Sequence, residues 1–209
     1  RNSRALPGAN AAVLATAGDF EELASAGETI YAIRADGRLF EVKNFRSASP
    51  RVEEYHTGLT IKNDVESLYF DAKTNRLLLM GKAADPGNNH QKQIYVFDLK
   101  SKQQVSQPYL KINMSRDQKG NSRSSKQQVI KPSALGIHPK SGNMYITDGP
   151  SNKLFILDKS GNLKASYNLP NNMFPQAEGI SFSPAGDVYI STEGKKNAGA
   201  IIKVAVTEP

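Results

Sequence analysis

The chain repeats itself four times, which confines it to architectures whose units bury their apolar faces against one another. The repeats open on Glu21-Glu22-Leu23-Ala24, Glu66-Ser67-Leu68-Tyr69, Ser133-Ala134-Leu135-Gly136 and Glu178-Gly179-Ile180-Ser181. Leu23 and Leu68 lie 45 residues apart, as do Leu135 and Ile180, whereas Leu68 and Leu135 are separated by 67. The excess falls on a Ser/Gln/Gly-rich stretch at about 107–131, which reads as a loop inserted into a regular array.

Each repeat has short apolar runs of strand length, rich in β-branched and aromatic residues and separated by turn-forming ones. Second strands are expected at 29–33, 77–80, 144–147 and 188–191, and third strands at 39–42, 94–97, 154–157 and 201–204. Between first and second strands stand Lys73-Thr74-Asn75, Ser141-Gly142-Asn143 and Ala185-Gly186-Asp187, residues that tolerate the positive φ of tight turns. Fourth, outer strands are expected at 52–57 and 163–168. No apolar run keeps a helical period. A repeat of about 45 residues with three or four antiparallel strands has the size of a β-propeller blade. A β-sandwich would explain the strand spacing but not the recurring opening motif. The expected fold is all-β, a β-propeller with four blade repeats over residues 19–209, preceded by an N-terminal segment, 1–18. After Pro209 nothing remains to give the last repeat a fourth strand. Ala11–Thr16 could fill that place and remove an open edge, or could be a tail.

The 209 residues include no Cys, which excludes a disulfide framework and thiol chemistry. No apolar stretch approaches the ~18 residues of a spanning helix, so the chain reads as soluble. It starts at Arg1 without a leader, as a processed, exported product would. The formal charge of +7 is concentrated at 111–131, where Lys111, Arg116, Lys119, Arg123, Lys126 and Lys131 face Asp117 alone. That stretch contains no aromatic residue to stack on a base, so the charge reads as a solvated loop and not as a nucleic-acid site.

Several motifs, in order, carry a family resemblance. They are Gly18-Asp19-Phe20-Glu21, Asn63-Asp64-Val65-Glu66-Ser67-Leu68, Lys131-Pro132-Ser133-Ala134, His138-Pro139-Lys140-Ser141-Gly142, Gln176-Ala177-Glu178-Gly179-Ile180 and Ile190-Ser191-Thr192-Glu193-Gly194. With them the chain resembles the SdiA-regulated family of bacterial propellers, which includes the YjiK-like proteins. The resemblance implies a six-bladed propeller that is exported to the periplasm or cell envelope, often as a lipoprotein, with a membrane-bound lipid anchor. Its ligand, a small molecule or a protein, is undefined. Residues 1–18 are too few for the family's additional upstream repeat. Two alternatives therefore stay open, a fragment or a smaller ring.

The chemistry-bearing residues are few. His56, His90 and His138 are far apart, and no His-x-x-x-His pair or Gly-x-Ser-x-Gly elbow is present. His138 reads as a hydrogen-bonding turn residue, and the Asp85–His90 run lacks the spacing of a calcium loop. What stands out is the shared position of Glu21, Glu66 and Glu178 at the start of the innermost strand, taken by Ser133 in the third repeat. In a propeller these starts converge on one end of the central channel, where the second strand also returns Glu193, Asp148 and Arg34. Carboxylates gathered there repel unless a cation, a basic partner or protonation relieves them. A hard cation, Ca²⁺, with Glu21, Glu66, Glu178 and Glu193 as ligands is one expectation, and a solvated channel rim is the other. The function expected is envelope-associated binding or scaffolding. A metal-dependent hydrolase of esters, lactones or phosphoesters, built on the same carboxylates, is the alternative.

Overall fold

The computed structural model of the chain describes residues 18–83, 91–113, 130–193 and 198–207. These form fifteen strands in four antiparallel sheets, set around a central axis as the blades of a four-bladed β-propeller. Blade 1 contains β1 (Phe20–Ala26), β2 (Thr29–Arg34), β3 (Arg38–Lys43) and β4 (Arg51–His56), in that order from the axis outward. Blade 2 contains β5 (Val65–Asp71), β6 (Arg76–Gly81), β7 (Gln91–Asp98) and β8 (Gln103–Asn113). Blade 3 contains β9 (Ala134–Ile137), β10 (Met144–Asp148), β11 (Lys153–Leu157) and β12 (Leu163–Asn168). Blade 4 has three strands, β13 (Ala177–Phe182), β14 (Val188–Thr192) and β15 (Ala200–Val204).

The hairpins close where the sequence places turn residues. Asn75, Gly142 and Gly186 have φ of 54°, 71° and 93°, a region that glycine and asparagine enter at little cost. In the middle strands, successive side chains point into opposite neighbouring blades, and both directions are apolar. Leu77 and Leu79 pack toward blade 1, with Ile33, Leu39 and Phe97, while Leu78 and Met80 pack toward blade 3, with Leu135, Ile146 and Phe155. A strand buried on both faces reads as an unbroken apolar run, as 77–80 does. A third cluster, around Tyr145, Leu154, Ile156, Val188 and Ile190, joins blades 3 and 4. Burying each of these side chains contributes about 1.5–3 kcal/mol, so the three seams hold the molecule together.

Among the described residues no such apolar cluster joins blade 4 to blade 1. Leu23 on β1 is 59% exposed, although its equivalents Leu68 and Leu135 are buried, and Ile201 on β15 is 76% exposed. Ala11–Thr16, the candidate closing strand, lies outside the described residues.

One boundary differs from the sequence reading. Residues 107–113, read there as the beginning of an inserted loop, are the second half of β8, the outer strand of blade 2. The pairing of β7 with β8 shifts between Ile94 and Val96, and Pro108 falls in the extra length on β8. A proline is tolerated at such an irregularity on an outer strand. The remainder of the basic stretch, 114–129, lies outside the described residues, as does the 84–90 loop with His90.

Candidate functional site at the channel mouth

The repeat position that holds Glu21, Glu66 and Glu178 has a specific backbone geometry. In β1, β5 and β13 the pairing with the second strand slips by one residue between Phe20 and Glu22, between Val65 and Ser67, and between Ala177 and Gly179. The extra residue in each case is the glutamate. A β-bulge bends the strand and turns its unpaired side chain away from the regular alternation. Two of the bulges are preceded by a residue at positive φ, Asp64 (52°) and Gln176 (61°). Carbonyls of Asp19, Asp64 and Gln176 accept the N–H groups of Ala35, Lys82 and Glu193 at 2.9, 2.7 and 3.2 Å. The three blades therefore build one local structure that sends a carboxylate toward the axis.

The carboxylates feel one another. Glu21 is pushed up to about 7, first by burial and then by the charges of Glu66 and Asp19, with Glu178 adding to them and Lys82 opposing. Glu178 is raised by burial and by Glu66 and Glu193, against a hydrogen bond from Gln176. Glu66, 6% exposed, is raised by burial and opposed by Lys82. The structure thus brings Glu21, Glu66, Glu178 and Glu193 into one electrostatic cluster.

Lys82, which the repeat pattern did not single out, sits inside that cluster. Its Nζ lies 2.7 Å from Oε1 of Glu66, and it also feels Asp64 and Glu178. Pairing with Glu66 outweighs burial and raises the ammonium above its ordinary range. The carbonyls of Gly81, Lys82 and Ala83 accept hydrogen bonds from the buried Lys92 ammonium, which anchors the backbone that carries Lys82. Among the described residues no group of three or more metal-ligating side chains is arranged to hold an ion. As placed, the acids do not form a metal cage, and Lys82 supplies the positive charge at Glu66.

The remaining candidates serve the fold. The Ser133 hydroxyl donates to the Ala177 carbonyl at 2.6 Å and accepts Gly149 N–H at 3.1 Å, tying blade 3 to blade 4. Asp148 accepts the N–H groups of Lys131 and Ser151, each at 2.9 Å. Arg34 is held by Asp36 and lies over the Phe40 ring, 5.8 Å from its centroid. His138 accepts Ser141 N–H on Nδ1 at 3.1 Å, so its Nε2–H donates to the Gly186 carbonyl at 3.1 Å. Its ring also meets Tyr145 and Phe182. It is a tie between blades 3 and 4.

Solved structures share this architecture. A protein of unknown function from Bacteroides caccae aligns with a TM-score of 0.55 at 10% identity, over 92% of this chain and 58% of that one. The glutaminyl cyclase of Myxococcus xanthus aligns with a TM-score of 0.57 at 15% identity, over 91% of this chain and 73% of that one. A streptogramin B lyase aligns with a TM-score of 0.53 at 11% identity, over 93% and 72% respectively. The chain therefore spans 58% of the length of the first and under three quarters of the other two. At such identities the likeness establishes the fold alone. No curated protein matches the sequence. Residues 11–196, which contain all four blade openings and the acidic cluster they build, match the SdiA-regulated family, and the chain belongs to that family.

Proposed function

We propose that this chain is a binding and scaffold propeller of the bacterial envelope, exported to the periplasm and held at a membrane by a lipid anchor. In this reading the acidic mouth of its channel receives the cationic part of a small molecule or protein partner. The observation that carries the reading is the delivery of three glutamates to one end of the axis by three separate bulges, where burial and neighbouring acids raise all three. An incoming cation relieves both penalties. The hydroxyl of Ser133, which takes the glutamate's place in blade 3, is engaged with backbone groups.

Ca²⁺ is the metal that these oxygen donors suit, because its loose coordination tolerates ligands from different blades. Its entry requires Glu66 to exchange Lys82 for the ion. Melting the protein with excess Ca²⁺ and then with chelator tests this. A ligand that binds only the folded state stabilises by about 2.7 kcal/mol at a hundredfold excess over Kd. We expect an upward Tm shift with Ca²⁺ that grows in Lys82→Met and shrinks in Glu66→Gln. An unchanged Tm in both wild type and Lys82→Met would remove the metal from the account.

A further inference from the structure

Below the mouth, the four innermost strands border an open cavity of about 470 Å³. That volume falls in the range of small-molecule sites, about 300–1,000 Å³. Its walls are largely apolar, including Leu68, Phe70, Leu135, Ile137, Ile180 and Phe182. One carboxyl interrupts them. Glu22, beside the bulge of β1, lines the cavity, and among the described residues its one hydrogen bond is a long one of 3.4 Å from Leu23 N–H on its own strand.

Glu22 is half-buried, and a carboxyl that gives up part of its water without a close partner among the described residues is a cost to the fold. Burial, with a further contribution from Glu178, pushes Glu22 up to about 8. Among the described residues Glu178 on β13 is the one charge acting on it. From β5 Tyr69 also borders the cavity, and from β9 Leu135 and Ile137 do. Above it, the carboxylates of the mouth outnumber Lys82 and draw cations toward the opening while repelling anions.

We propose that this cavity is a binding site for a small organic cation, a protonated amine on an apolar body. The ammonium pairs with Glu22, and the body lies among Leu68, Leu135, Ile180 and Phe182. The proposal rests on the binding reading above and names its ligand class.

Isothermal titration of the full chain with 2-phenylethylamine, and with 2-phenylethanol as its uncharged counterpart, tests this. We expect the amine to bind at least tenfold tighter than the alcohol. Glu22→Gln should lose at least tenfold in amine affinity and keep its Ca²⁺-dependent melting behaviour. Equal binding of amine and alcohol, amine affinity unchanged in Glu22→Gln, or no amine binding would each overturn the proposal. A Ca²⁺ shift that persists in any of these cases leaves the reading of the mouth standing. Amine binding without a Ca²⁺ shift supports the cavity and removes the metal.

Discussion

Glu41 on β3 is buried between blades 1 and 2, where Tyr31 and Tyr55 donate to it at 2.7 and 3.0 Å and Lys102 of blade 2 reaches it at 2.7 Å. The Lys102 ammonium also lies 5.0 Å from the Tyr55 ring centroid. Burial alone would raise this carboxyl, but the bonds from Lys102 and the tyrosines hold it down to about 2. A carboxyl depressed from 4.5 adds stability that is fully present above about pH 4.5 and is lost as pH falls toward 2. Removing one partner of a buried ion pair costs about 3 kcal/mol or more, because the other charge is left stranded. Urea unfolding of Glu41→Gln at pH 7 should show a loss of that size and a weaker acid dependence between pH 4.5 and 2 than wild type. Lys102→Met should cost less, since Lys43 remains 3.3 Å from Glu41. The residues legible in the sequence were those that the repeat duplicates. Glu21, Glu66 and Glu178 share a position, whereas Lys82 is matched by Ala35 and Glu193, and Glu22 by Ser67 and Gly179. A side chain that occurs once in four repeats carries no periodic signal, so the lysine in the cluster and the acid in the cavity required coordinates.

At the scale of elements, the strands and turns were largely readable because both faces of each inner sheet bury apolar side chains. β12 occupies the span expected of it, and β4 is displaced by one residue from 52–57. The second half of β8 was not readable, because Gln107 and Lys111 are exposed and Pro108 breaks the pattern, leaving Ile112 as the fully buried anchor among its described side chains. The bulges were also invisible, since a register slip is a property of paired strands and not of one strand's composition. Close approach of neighbouring blades is a further such property. A Cβ on Gly136 of β9 would stand 2.7 Å from the Phe182 ring of β13, across the seam between blades 3 and 4. Gly136→Val should therefore lower stability by about 1–3 kcal/mol, the usual cost of overpacking. Chemical denaturation checks it, and a midpoint equal to that of wild type would mean that the seam is looser than described.

Across the whole molecule, three apolar seams hold four blades in sequence while their inner ends carry the acids to one place. The seams explain the fold, and the bulges explain why the acids sit at the axis and not on a sheet face. The central claim is that Glu21, Glu66 and Glu178, from three different blades, share one electrostatic environment. Site-resolved NMR titration of the Glu21 carboxyl, in wild type and in Glu66→Gln, measures this directly. Glu21 should titrate near 7 in wild type, since burial and the neighbouring acids hold its proton. In Glu66→Gln its midpoint should fall, because the neighbouring negative charge that raises it most is gone. A Glu21 carboxyl that titrates near 4.5 in both proteins would contradict the convergence of the three blades on a common site.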